Sequence, residues 1–311
     1  MDKKELRVIF MGTPKISAQV FEAMILNGYH FVGLIAQPDR PIGRKGELEK
    51  VPTKVIAEKY NIPVFQPAKV SREYDFIRDL KPDIIITLAY GQIVPQGLLD
   101  IPKYGCLNLH GSLLPKYRGA APIQYALING DKVTGMTLMK MVKEMDAGEI
   151  FATEEVVVDE EDNCTSLFNK MGEAATKLIL EALPKYIDGE LKGKEQNPAL
   201  VSFCPTIKAE QERINLDYDV ETINGWIKAL SDAPGAYFLF KGKKIKVFKA
   251  KVLNHVEGDV GEIVQADKHG LVIQLKGGQL SLLELQKEGK NRIDYKSFLN
   301  GNQGLLNEKF D

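Results

Sequence analysis

The chain is short of the residues that staple or anchor a protein. Its three cysteines, Cys106, Cys164 and Cys204, form no metal-type pair and cannot all be bridged. They read as reduced, buried thiols, which places the protein in the cytoplasm. Its four histidines, His30, His110, His255 and His269, have no metal-type partner spacing, so no metal site is expected. No apolar run approaches the ~18–20 residues that span a bilayer. The opening Met1–Leu6 leads straight into a strand pattern without the apolar stretch of a secretory leader, so neither export nor a membrane partner is expected. An excess of one charge is also missing. With 41 Lys+Arg against 42 Asp+Glu the net charge is −1, so a nucleic-acid partner would have to be met by local patches. Internal repeats and low-complexity tracts are absent, and 44% hydrophobic with 27% charged residues excludes disordered, collagen-like and coiled-coil chains. A length of 311 residues is long for one core and comfortable for two domains.

What is present alternates. The apolar runs Leu6–Phe10, Tyr29–Ala36, Pro63–Phe65, Asp83–Ala89 and Leu107–Leu109 lack polar alternation. Helix-like stretches, Ile16–Asn27, Lys54–Tyr60 and Ser71–Leu80, lie between them. That pattern predicts a doubly wound α/β domain, Rossmann-like, with a parallel sheet covered on both faces. A helix over Ile123–Asn129, strands over Val133–Met141 and Glu149–Val158, and an amphipathic helix over 165–183 follow. The polar stretch around Ile187–Pro198 predicts a linker over 189–204, which divides a first domain (1–188) from a second (205–311). Past Cys204, after a short helix over Val220–Leu230, short β-type runs separated by glycines predict a small β-barrel.

Ligands of open α/β sheets bind outside the carboxyl ends of the strands. Three loops lie at such positions. Phe10–Pro14 lacks the second and third glycines of a dinucleotide loop, and its Pro14 removes an N–H that would face phosphate, so it reads as a tight turn. Asn108 and His110 end the fifth strand, on one side of it by alternation, and could serve one reaction centre. The loop Ser112–Gln124 that follows is apolar and structured, unusual at a sheet edge unless something binds there. The third loop, Met145–Gly148, is either a plain Asp-Gly turn or the source of a reactive carboxylate, Asp146.

The stretch Asn108–Ile150, with its NLHGSLLP opening and the downstream Asp146, resembles the formyltransferases that use 10-formyltetrahydrofolate. The segments RVIFMGTP, QPDRPIGR and LQKEGK extend the resemblance over the whole chain, nearest to members that formylate methionyl-tRNA. The resemblance implies a catalytic trio of Asn108, His110 and Asp146. It implies a folate-contacting loop at Ser112, Leu113, Leu114 and Pro115, with Tyr90, Gly91 and Ile93 forming part of the pterin pocket. It implies 10-formyltetrahydrofolate as co-substrate, the initiator methionyl-tRNA as partner, a monomer without metal, and an OB-like second domain that binds tRNA. Arg44, with Arg40 and Lys45, matches a basic loop that enters the acceptor stem. That loop, Pro38–Lys50, carries four basic and three acidic residues and so nets only about +1.

In the second domain Lys241, Lys243, Lys244, Lys246, Lys249 and Lys251 form a basic run with no acid between Ala233 and Val256. Lys244 and Lys246 differ in parity from Lys249 and Lys251, which predicts a bulge near Phe248 that returns both pairs to one face. On the resemblance, Lys244, Lys246 and Lys249 are candidate phosphate contacts. Three other functions compete: an amino-sugar nucleotide formyltransferase with the same trio, a dinucleotide-binding oxidoreductase, and an RNA-binding protein without activity.

Overall fold

The computed structural model describes residues 3–42 and 47–311. The chain forms two compact units. The first takes in Met1–Ala120, Val133–Val157 and Phe168–Cys204; the second takes in Ala121–Lys132, Val158–Leu167 and Pro205–Asp311.

In the first unit the apolar runs become strands β1 (Arg7–Gly12), β2 (His30–Ile35), β3 (Val64–Phe65), β4 (Ile84–Leu88), β5 (Cys106–His110), β6 (Val133–Lys140) and β7 (Ile150–Val157). They join in one sheet of order β7-β6-β5-β4-β1-β2-β3. The pairs from β5 through β4, β1 and β2 to β3 are parallel. At the other edge β6 and β7 run antiparallel to their neighbours. All five residues of β4 are buried, because helices cover both faces of a parallel sheet and leave no position for alternating polar residues. Strand order reverses between β1 and β4, so the carboxyl ends of β1, β4 and β5 form the crevice where such sheets bind ligands.

Helices α1 (Lys15–Leu26), α2 (Pro52–Lys59), α3 (Phe76–Leu80) and α4 (Gln96–Leu99) punctuate the strands. The helix expected over Ser71–Leu80 forms only from Phe76. Upstream, Arg72 and Glu73 N–H bond the Lys69 carbonyl in a separate turn, with the Glu73 side chain accepting from Lys69 N–H and Gln92 from Val70 N–H. A 24-residue helix, α6 (Cys164–Ile187), follows the 7-residue helix α5 (Pro122–Ile128) and the two antiparallel strands. No helix among the described residues is long and apolar enough to cross a membrane.

Residues 189–204, expected as a linker, pack as part of the first unit. Lys194 exchanges both backbone hydrogen bonds with Ile150, and Phe203–Cys204 pairs in parallel with Arg118–Gly119. Most of its polar side chains are exposed; backbone groups and the side chains of Gln196 and Ser202 are what bond it to the first unit's loops.

In the second unit α5 lies against α7 (Val220–Leu230), where a Cβ at Gly225 would meet the Ile128 carbonyl oxygen at 2.5 Å. Glycine is what lets the two backbones approach. The strands β8 (Ala236–Phe240), β9 (Lys243–Leu253), β10 (Ile263–Asp267), β11 (Gly270–Leu275) and β12 (Gly278–Lys287) form an antiparallel sheet of order β8-β9-β12-β11-β10. The carboxyl-terminal residues bond both outer strands. Asp311 exchanges hydrogen bonds with Leu239 of β8, and Ile263 of β10 donates to Glu308. Phe238, Ile245, Val247, Ile273, Leu280 and Leu282 form the core beneath it.

The register of β9 against β12 shifts on either side of Lys249, which leaves Phe248 as the extra residue of a bulge. Before it Ile245 and Val247 enter the core; after it Ala250 and Val252 do. Lys244, Lys246, Lys249 and Lys251 therefore share the outer side.

Candidate active site

His110 closes β5 and is only 5% exposed. Its Nε2 lies 2.7 Å from the Tyr117 carbonyl oxygen. A carbonyl only accepts, so Nε2 carries the hydrogen and Nδ1 is the ring's free nitrogen. Nδ1 faces Asp146 Oδ2 at 3.6 Å, beyond direct hydrogen-bond length. Asn108 sits two residues earlier on the same face of β5, half-buried, and its side-chain amide bonds no described residue. Beside it in register on β4 is Thr87, whose buried hydroxyl also has no partner.

Asp146 rides the turn between β6 and β7 in a left-handed conformation, φ +51°. Its Oδ2 accepts the Gly119 N–H at 2.9 Å. Its own carbonyl and that of Gly148 accept from Gln196 Nε2 at 2.7 and 2.9 Å. Gln196 Oε1 in turn accepts from Arg118 Nε and Nη2 at 3.0 and 2.8 Å, and Arg118 Nη1 lies 3.3 Å from Glu144. Gly148 must be glycine, since a Cβ there would stand 1.9 Å from the Lys140 carbonyl oxygen.

The Ser112–Pro115 loop is pinned to β6. Thr137 Oγ1 donates to the Ser112 carbonyl at 2.6 Å and accepts from Leu114 N–H at 3.1 Å. Ser112 Oγ donates to Lys116, and Leu114 is buried while Leu113 and Pro115 are half-buried. The Tyr90 ring is buried in a core cluster, and burial raises its hydroxyl well above the ordinary tyrosine range. Its carbonyl accepts from Gln37 and Thr13, while Gly91 has φ +87° and Ile93 is 85% exposed. A ligand reaching this turn would meet backbone and Ile93 rather than the Tyr90 ring.

The structure thus brings His110 and Asp146 together and sets Asn108 on the same strand face. Arg40 is exposed in a short hairpin opposite Glu49, while Arg44 and Lys45 lie outside the described residues. On the lysine face of the second unit, Lys244 stacks over Tyr237 at 4.5 Å and Lys246 donates to the Pro234 carbonyl. Lys249 meets Glu161 at 3.0 Å, an acid from outside the lysine run. Sequence reasoning missed Tyr117, Arg118, Gly119, Thr137 and Gln196. The first three lie in a loop it flagged as structured; Gln196 carried no signal, sitting in a stretch read as linker.

Residues 6–183 match the formyl transferase family and residues 206–303 match the formyl transferase C-terminal domain. The chain belongs to the formyl transferase family. It is 45% identical over 297 residues to a methionyl-tRNA formyltransferase of Lactobacillus acidophilus, covering 94% of this chain and 95% of that protein. In fold it is similar to the N-formyltransferase from Helicobacter canadensis solved with folinic acid and dTDP-3-aminofucose (TM-score 0.69, 18% identical, 91% of this chain and 99% of that one). It is also similar to HypX from Aquifex aeolicus in complex with tetrahydrofolic acid (TM-score 0.65, 18% identical, 97% of this chain and 48% of that one). Likeness at 18% identity speaks for the fold alone. The formyl transferase match over 6–183 takes in Asn108, His110 and Asp146.

Proposed function

We propose that this chain moves the formyl group of 10-formyltetrahydrofolate onto the α-amine of methionyl-tRNA, with Asn108, His110 and Asp146 as its catalytic residues. The observation that carries the reading is the 45% identity, over 94% of the chain, to a methionyl-tRNA formyltransferase. The 3.6 Å meeting of His110 with Asp146 at the carboxyl edge of the sheet supports the assignment of roles.

The folate, when bound, supplies a formyl carbon on a nitrogen that can leave once protonated. Ser112–Pro115 and the Tyr90–Ile93 turn are the residues that would hold it. The Asn108 amide and the buried Thr87 hydroxyl, neither bonded to a described residue, suit a polar ligand between apolar neighbours. Attack requires the neutral amine; free α-amines titrate near ~7.7–8.0 and the ester of an aminoacyl-tRNA lowers this, so little deprotonation is needed beforehand. Asn108 Nδ2 donates a hydrogen bond to the formyl oxygen as charge develops there. His110 Nδ1, left free by the Tyr117 bond, takes the proton shed by the amine and, with the Asp146 carboxylate beside it, returns it to the folate nitrogen as the carbon–nitrogen bond breaks.

Transfer RNA is the substrate that gives the second unit a purpose in this reading. Lys244, Lys246 and Lys249, with Arg40 and the loop bearing Arg44 and Lys45, are its candidate contacts. The amino-sugar alternative is less supported, because the structure solved with such a sugar is only 18% identical to this chain. The deciding experiment is single-turnover transfer from 10-formyltetrahydrofolate, offered charged methionyl-tRNA beside an amino-sugar nucleotide. Formylation of the tRNA is the expected result; formylation of the sugar nucleotide alone would overturn the reading.

A further inference from the structure

We infer that Gln196 is a positioning residue that holds the Asp146 turn in its working conformation; this rests on the reading of Asp146 as catalytic. The Gln196 amide is fully used. Both of its N–H donors go to the carbonyls of Asp146 and Gly148, at 2.7 and 2.9 Å. Its oxygen takes two donors from Arg118, at 3.0 and 2.8 Å. Rotating the amide end for end would set oxygen against two carbonyls and NH2 against a guanidinium, so its orientation is determined by its partners.

The two ends of this bridge are the two things the site needs held. One end is the backbone of Asp146, a non-glycine residue in the left-handed region, a conformation that persists only where surroundings over-determine it. The other is Arg118, 7% exposed. Arg118 is flanked by Tyr117, whose carbonyl binds His110 Nε2, and by Gly119, whose N–H binds Asp146 Oδ2. Gln196 therefore ties the carboxylate's turn to the short segment that orients both the imidazole and the carboxylate. It touches no reacting atom and acts through Asp146.

The test uses Gln196→Glu and Gln196→Ala in the full chain. Glu keeps the size and the acceptor toward Arg118 but removes both donors to the Asp146 turn, so it releases the turn while keeping the anchor. In single-turnover formyl transfer to methionyl-tRNA, Gln196→Glu is expected to slow the reaction about 10- to 100-fold, the range for a small misplacement of a reacting group. KM for both substrates should stay within about threefold. Added to Asp146→Asn, it should cost less than about threefold more, because residues acting as a unit are non-additive. Hydrogen–deuterium exchange over residues 143–148 should rise without substrate present. A normal rate in Gln196→Glu, a full multiplicative loss on the Asp146→Asn background, or unchanged exchange in that turn would each overturn the inference. Should Gln196→Ala fail to fold, Gln196→Glu carries the test alone. Wild-type protein that formylates no methionyl-tRNA would sink the functional reading instead, while the exchange measurement still judges the hold of Gln196 on the turn.

Discussion

His110 Nδ1 and Asp146 Oδ2 face each other at 3.6 Å, while the far nitrogen of the same ring is tied to the Tyr117 carbonyl at 2.7 Å. The ring can therefore exchange a proton only on the side where the carboxylate stands. His110→Ala and Asp146→Asn should each lower turnover by ~100-fold or more, in line with acid–base contributions elsewhere. Rapid-quench single-turnover kinetics measure this directly, and near-normal rates in either variant would remove that residue from the mechanism.

Gly148 sets how closely the Asp146 turn lies on β6. An alanine Cβ would fall 1.9 Å from the Lys140 carbonyl oxygen, so the turn must lift. Gly148→Ala should destabilise the protein by about 1–3 kcal/mol, the usual cost of forcing atoms into packed space. It should also slow formyl transfer, because the carboxylate moves with its backbone. Urea unfolding beside kinetics checks both; unchanged stability would contradict the close approach.

The lysine face is partly neutralised within its own unit. Glu161 pairs with Lys249 at 3.0 Å on the surface. If these lysines meet phosphate, binding to methionyl-tRNA should weaken steeply with salt, and Lys244→Ala should flatten the log–log slope by about 1. Glu161→Gln should tighten binding by no more than about fivefold, since an exposed pair is worth only ~0.2–1 kcal/mol. Filter binding across salt concentrations measures the slopes. A flat wild-type response would dismiss phosphate contact by this face.

Buried thiols predict the alkaline behaviour. Burial, with Asp100 nearby, pushes the Cys106 thiol up to about 12, and burial with Asp232 nearby pushes Cys164 to about 11. In the unfolded chain both ionise near ~8.5. Above that pH the unfolded state releases protons that the folded state keeps, so stability falls as pH rises from about 8.5 toward 11–12, and is fully present below it. Melting temperatures from pH 8 to 10.5 should therefore drop, and Cys106→Ala should show a shallower drop than wild type. An equal slope in the two would show that Cys106 contributes nothing to it.

Much of this was legible in the residues. Unalternated runs such as Asp83–Ala89 announce a sheet covered on both faces, and Ile84–Leu88 is buried throughout. The parity change among the lysines located the bulge at Phe248, because alternation is a strict period and any break in it needs an extra residue. The helix over Ser71–Leu80 was over-read: Arg72 and Glu73 N–H both bond the Lys69 carbonyl in a separate turn, and the bonding that leads into the helix starts only with Ile77 and Arg78 N–H on the Tyr74 and Asp75 carbonyls. The segment 189–204 misled for another reason: most of its polar side chains are exposed, yet its backbone and the side chains of Gln196 and Ser202 bond to loops far along the chain.

Local periodicity, chain order and residue chemistry sufficed to delimit a wound α/β part and a β-rich part, and to set an amide and an imidazole side by side at a strand end. Those properties depend on neighbours a few positions away, which any stretch of sequence displays. Only the folded chain decided that Asp146 meets His110, that Gln196 grips the turn from 50 residues away while bonding Arg118 across 78, and that Glu161 answers Lys249. Hydrogen bonds between side chains in separate loops follow no period, and their partners are chosen by how the backbone packs.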